Sequence, residues 1–573
     1  MKTITLTALL CFLCIHNLFS QNPSAFPGAE GFGAQTSGGR GGQVIYVTNL
    51  NPSGPGSLNE ALATQGRKYI LFKVSGIIDA AAEVLYGDAT IAGQTSPGGI
   101  TVRGFLVDEV YDTIGTGDNI IVRHLRSRPH DPEIFPTSNY ILDDACRLDG
   151  ASNVVIDHCS FADAMDESVQ ISQSSKISFQ NNSLAETIGE HFYLGGMLLN
   201  YSTPEHPQDS ISVHHNIWNR MGGRMPELTC ESPFGSDHPL KLELSDNLIW
   251  DQTINIWYNS NIDQTAEIPV DSFFLNLNWI NNLSYSRNTF GNGMIAHNIL
   301  EIAGNTIFAS GNKINLYPAY ADYDLFYCCN DFNLPENHPN TDLGVARRLL
   351  SRHPFPSITY HPADSLVNYM FANAGAFPRD SMDRRLFLPL KTGIMDPTPI
   401  DLVDPYLDAF ILDTNPPQPL QDIDNDGIPD YWENEHGLNP AVQDHNGTDL
   451  SVSITGVAGY TNLECYLNCL SDFLVSGKTS SRCGIVTNVS ENYPYPKKSC
   501  KIYPNPAGTY MNLQLPLNNC QINIIDVFGR IVLQKDLISR NERLNLDLAT
   551  GVYLYQIKNQ EQIIDAGKII IQK

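Results

Sequence analysis

The chain has 573 residues, with 62 acidic against 35 basic side chains and a formal net charge of −27 at pH 7. This is longer than one ordinary domain. The negative balance argues against a nucleic-acid partner, which needs a basic face for its phosphates. A polyanionic substrate would need a local reversal of the field.

Lys2 and the apolar run Ile4 to Leu13 read as part of a signal peptide over 1–20, cleaved near Ser20. The run is too short to span a bilayer. Export permits disulfides, but their pairing stays open; adjacent Cys328 and Cys329 do not easily pair with each other.

From 21 to 415, short β runs end in His, Asn or Asp: "NVVIDHCSF" (153–161), "KISFQNNSL" (176–184), "ISVHHNIW" (211–218), "LELSDNLIW" (242–250). The bend residues recur every 23 to 35 positions. That spacing predicts a parallel β-helix whose turns carry loops of unequal length. Asn at the bend tolerates unusual φ/ψ and can hydrogen-bond its copy one turn on. A β-sandwich is the competing architecture. The stretch 320–400 is expected to form long covering loops.

Residues 416–475 contain "DIDNDGIPDYWE" (422–433). Asp422, Asp424, Asp426, Asp430 and Glu433 fall on positions 1, 3, 5, 9 and 12 of an EF-hand or thrombospondin type 3-like calcium loop, Gly427 on the turn position, and Ile428 would offer its carbonyl. "GYTNLECYLNCL" (459–470) predicts a helix packed back on this loop. Residues 476–500 read as a linker. Residues 501–573 alternate strands with Gly turns, as in "INIIDVFGRIVLQ" (522–534), and predict a small β-sandwich. This segment resembles the type A sorting domains of the type IX secretion system of Bacteroidota. The resemblance implies secretion by that machinery, to the medium or the cell surface. The overall class is all-β: a right-handed parallel β-helix, a calcium-loop segment and a C-terminal sandwich.

Within the β-helix, "FPGAEGFGAQTSGGRGG" (26–42), "GPGSLNEAL" (54–62), "IAGQTSPGGITVRG" (91–104), "IIVRHLRSRP" (120–129), "ASNVVIDHCSFADAMDE" (151–167) and "HHNIWNRMGGRMP" (214–226) together resemble pectate lyases of polysaccharide lyase family 1. The resemblance implies cleavage of polygalacturonate by β-elimination, with Ca2+ bridging an acidic protein to an acidic polymer. It puts the base at Arg224, with Gly222 and Gly223 permitting close approach to the sugar and Pro226 stiffening the loop. It implies catalytic calcium ligands at Asp144 and Asp166, with Asp143 and Glu167 as neighbours and Gln170 in place of a carboxylate. Leu142 stands where a further ligand would fall. The family's substrate-binding lysine has no counterpart; His191 lies nearby, and Arg128 is a second candidate for holding uronates, with Arg123 and Arg126 beside it. Asp157 and His158 read as scaffold and Cys159 as a buried stack residue. A monomer is expected. Open alternatives are a pectin lyase or other uronan lyase with a reduced calcium site, a galacturonan hydrolase, and a non-catalytic pectin-binding surface protein.

Overall fold

The computed structural model describes residues 23–108, 117–129, 143–187, 195–200, 202–203, 206–221, 223–229, 239–251, 257–259, 275–286, 305–316, 318–325, 348–395, 416–477, 482–484, 500–525, 531–559 and 562–572. The signal-peptide segment, Leu142 and His191 lie outside these.

Three parallel sheets run along one coil. The first has ten strands, from Gln43–Val47 through Ser175–Gln180 and Asp209–His214 to Thr306–Ser310. The second has nine short strands, from Gly76–Ile77 to Lys313–Ile314, and the third has seven, from Ala82–Glu83 to Trp257–Asn259. The chain visits the sheets in turn, which makes a right-handed parallel β-helix. Alternation within each strand fills its interior. Ile177, Ile211, Leu242 and Leu277 align across neighbouring strands, as do Phe179, Val213, Leu244 and Trp279. None is more than 2% exposed. Burying each contributes about 1.5–3 kcal/mol, available only once turns stack.

The bends from first to second sheet use two residues with separate tasks. His158, Asn181, His215, Asp246 and Asn281 are left-handed, with φ between +50° and +58°. The residue after each carries a hydrogen-bond stack. The N–H groups of Cys159, Asn182, Asn216, Asn247 and Asn282 donate at 2.8–3.0 Å to the Oδ1 of Asn182, Asn216, Asn247, Asn282 and Asn312, respectively. The sequence reading assigns both tasks to one asparagine; the structure divides them. Cys159 is buried in this stack.

Helix α1 (Leu58–Leu62) is capped by Ser57 and packs on the coil's interior. The stretch expected as covering loops contains two helices, α2 (Leu366–Asn373) and α3 (Ser381–Thr392). Asp380 caps α3 by accepting the Asp383 amide, and Gly393, at φ +69°, ends it. Met382, Leu386, Phe387 and Leu390 line one face of α3 and pack with Ile217, Leu248 and Trp250 of the second sheet. Its charged residues and Pro389 mask that stripe in the sequence.

The calcium-loop segment lies against the first sheet. It holds α4 (Asp430–His436), α5 (Ser451–Thr455) and α6 (Asn462–Ser476), the last started by a Thr461–Glu464 capping box. Ile428, Trp432 and Leu463 share a core with Tyr69, Leu71 and Ala92 of the coil. The predicted helix does pack back on its loop. Cys469 of α6 is disulfide-bonded to Cys483. At the C-terminus, antiparallel sheets of three and four strands enclose Met511, Leu513, Ile522, Ile524, Ile557 and Ile569.

Candidate active site and calcium loop

The segments entering third-sheet strands stack Asp144, Glu167, Gly195 and Arg224 on successive turns of the coil. Backbone hydrogen bonds fix this order: Ala145 N–H to Glu167 O, Ser168 N–H to Gly195 O and Met197 N–H to Arg224 O. Arg224 has φ +53°. Gly195 and Gly196 occupy the intervening turn. A Cβ on Gly196 would come within 2.1 Å of the Arg224 carbonyl oxygen, and one on Gly195 within 2.3 Å of that of Asp166. The side-chain-free turn lets Arg224 reach Glu167, which its Nη1 meets directly. Its Nε lies 2.8 Å from Glu227 Oε2.

Asp144, Asp166 and Glu167 place carboxylate oxygens within 4.8 Å of one another. Asp144 Oδ1 accepts the Glu167 amide at 3.0 Å, and Arg147 Nη1 stands 3.9 Å from its other oxygen. Burial pushes Asp144 up to about 8; Arg147 opposes this, and Asp166 and Asp143 add to it. Burial, then Asp166, raises exposed Asp143 as well. Such concentrated acidity suits a hard divalent cation, so the residues present fit calcium. Gln170 lies further along the chain, in the strand that follows Glu167, and its side-chain amide donates to Ser172 Oγ at 2.9 Å.

Arg128 does not line a groove. It is fully buried and donates to Ser160 O at 2.8 Å and to Asp383 Oδ1 of α3 at 3.4 Å. Arg126 is likewise buried against Asp380 and Asp383. Arg123 pairs with Asp157 at 2.8 Å and with Ser471 of α6. The helices covering the coil hold all three arginines. Asp157 is scaffold: it also accepts from His158, Gln180 and Asn181. Burial would raise it, but His158 and Arg123 outweigh burial and hold it well below the usual carboxylate range.

In the acidic loop, Asp422, Asp424 and Asp426 form one group and Asp426, Glu433 and Asp444 a second. Glu433 is buried, and neither of its carboxylate oxygens has a hydrogen bond; Asp424 Oδ2 and Asp444 Oδ1 are likewise unpartnered. Burial, with Asp426, Asp424, Asp444 and Asp422 around it, pushes Glu433 up to about 8. Orphaned buried oxygens of this kind fit a cation. Asp430 Oδ1 instead accepts the Ile423 amide at 2.9 Å. Asp422 accepts from Tyr46, tying the loop to the coil.

The sequence marks Glu227 only as standing in the region of an arginine that the resemblance leads one to expect, not as a partner of Arg224; Asp444 and the Gly195–Gly196 gap come from the structure. The pair "GG" was a visible signal for the gap; Asp444 lies eleven residues past the loop's last position and had none.

Residues 501–572 match the secretion system C-terminal sorting domain family. The chain is 28% identical over 478 residues to a probable pectate lyase C of Aspergillus flavus, covering 82% of this chain and 98% of that protein. It is 29% identical over 475 residues to a probable pectate lyase C of Aspergillus oryzae, with 82% and 98% covered. Among solved structures, the major cedar pollen allergen Jun a 1 gives a TM-score of 0.41 at 16% identity, over 62% of this chain and 99% of that one. A pectate lyase from Bacillus sp. N165 in complex with trigalacturonate gives 0.37 at 14% identity, over 61% and 98%. Over most of its length the chain is thus similar to proteins named as probable pectate lyases, and the secretion system C-terminal sorting domain over residues 501–572 makes it a secreted protein.

Proposed function

We propose that this protein is a calcium-assisted pectate lyase that cleaves polygalacturonate by β-elimination. The observation that carries this reading is Arg224 facing the group of Asp144, Asp166 and Glu167 across a side-chain-free turn. The hard step is loss of the C5 proton beside the uronate carboxylate. Asp144, Asp166 and Glu167 would hold calcium, which would draw charge from that carboxylate and acidify C5–H. Arg224, in its neutral form, takes the C5 proton while the C4–O bond breaks; the leaving oxygen takes a proton from water, and the new end is 4,5-unsaturated. Arginine is ordinarily protonated, so this role predicts a rate that rises into alkaline pH. Glu227, 2.8 Å from Arg224 Nε, holds the guanidinium through a different nitrogen from the one that meets Glu167.

We assign a structural calcium to Asp422, Asp424, Asp426, the Ile428 carbonyl, Glu433 and Asp444, with Asp430 closing the loop through the Ile423 amide. The sorting domain hands the chain to the type IX machinery, and the mature enzyme acts as a monomer outside the cell or on its surface.

The test is ultraviolet absorbance of the unsaturated product on polygalacturonate, with calcium and then with chelator, beside Arg224→Ala. Absorbance that needs calcium and vanishes in Arg224→Ala supports the reading. No absorbance from the folded protein on pectate or methylated pectin would sink it.

A further inference from the structure

Away from the acidic site, three metal-ligating side chains meet where a crossing segment passes over the coil. His215 and Asp246 are the left-handed residues of consecutive bends. His361 comes from the extended stretch 351–362, which crosses these bends. The segment is anchored by Tyr360, which donates to Glu243 at 2.6 Å, and by the His361 amide, which donates to Asp246 Oδ1 at 2.7 Å. His215 Nε2 lies 3.0 Å from His361 Nδ1 and 3.9 Å from Asp246 Oδ2. The three ligand atoms all fall within 4.8 Å of one another.

Two features point to a cation. Asp246 is 0% exposed, yet its Oδ2 makes no hydrogen bond. A buried carboxylate oxygen left this way is costly unless something positive meets it. The imidazoles are also set up as ligands. His215 Nδ1 lies 2.8 Å from His214 Nδ1; in the tautomer in which His215 donates there, its Nε2 lone pair faces His361 and Asp246. Tetrahedral ligands about 2.0–2.1 Å from zinc stand about 3.3 Å apart; the observed 3.0 and 3.9 Å bracket that spacing.

We infer that His215, Asp246 and His361 form a binding site for a divalent transition metal of the zinc class, stapling the crossing segment to the coil. Two imidazoles and one carboxylate suit zinc and do not suit calcium, which takes oxygen ligands. The site is distinct from both carboxylate groups assigned to calcium. Three protein ligands leave a fourth position for water.

The experiment titrates the mature, calcium-saturated protein with zinc against a chromophoric chelator and follows Tm by calorimetry. The expected result is one zinc bound through nitrogen and oxygen at about 2.0–2.1 Å by X-ray absorption, with a rise in Tm. His361 is half-buried and outside the coil, so His361→Ala should fold. It should weaken zinc at least about ten-fold, remove the rise in Tm and leave zinc-free polygalacturonate cleavage unchanged. Asp246→Asn should weaken zinc in the same direction. Absence of zinc binding by the parent protein at micromolar metal, or equal affinity in His361→Ala, would overturn the assignment. In that case the two imidazoles merely share a proton.

Discussion

Arg224 Nε lies 2.8 Å from Glu227 Oε2, while the same guanidinium meets Glu167 through Nη1. One arginine thus joins Glu167 of the carboxylate group to a carboxylate three residues downstream. Arg224→Ala should lower kcat about a hundred- to ten-thousand-fold, the range for losing a proton-transfer group. Glu227→Gln should lower kcat about ten-fold, ~1.4 kcal/mol of barrier, with KM little changed, because it orients the arginine without holding the sugar. Steady-state kinetics on polygalacturonate separate the two. A Glu227→Gln effect confined to KM would mean that Glu227 touches substrate instead.

In the proposed function, Asp144 should set the pH dependence of calcium binding. Burial, with Asp166 and Asp143, lifts its carboxyl to about 8 against the pull of Arg147. Below that pH a proton competes with the cation. Calcium affinity should therefore strengthen as pH rises from 6 to 8, by up to about ten-fold per unit for one proton displaced. The half-activating calcium concentration, measured at several pH values, checks this. Asp144→Asn should weaken calcium and flatten the dependence.

Glu433 makes a related prediction for stability. Its folded value is raised from 4.5 to about 8. The unfolded chain therefore releases this proton first, and the group opposes folding increasingly as pH climbs from 4.5 to 8. Below 4.5 it has no such effect. Calorimetry in chelator should show Tm falling across that window and calcium restoring it. Glu433→Gln should give a shallower slope and a smaller calcium response. An unchanged slope would place the effect elsewhere.

Arg128 separates scaffold from site. Removing Arg128 leaves buried Asp380 and Asp383 with Arg126 in place of two arginines, a loss of up to about 3 kcal/mol. Arg128→Ala should unfold at lower denaturant concentration, while KM for polygalacturonate stays at the parent value in conditions where it remains folded. A raised KM with unchanged stability would return Arg128 to the groove.

Local chemistry was legible in the sequence wherever neighbouring residues carried it. The β-helix shows in strands that cannot bury their apolar faces alone and in bends recurring at irregular intervals. The acidic loop shows because calcium-loop ligands lie within one short stretch, 422 to 433. Arg224, Asp144 and Asp166 stood out through the motifs around them. What the sequence could not decide was which side chains meet across turns and what covers the coil. Arg128 sits in a β run that reads as groove-facing, but α3 seals it, and that helix depends on packing against the second sheet. Glu227 finds Arg224, Asp444 joins Glu433, and His361 reaches His215 only when the chain folds back on itself. Spacing along a chain determines periodic structure because hydrogen bonds and side-chain direction repeat locally. Contacts between distant segments depend on the register of stacked turns, and that exists only in the tertiary structure.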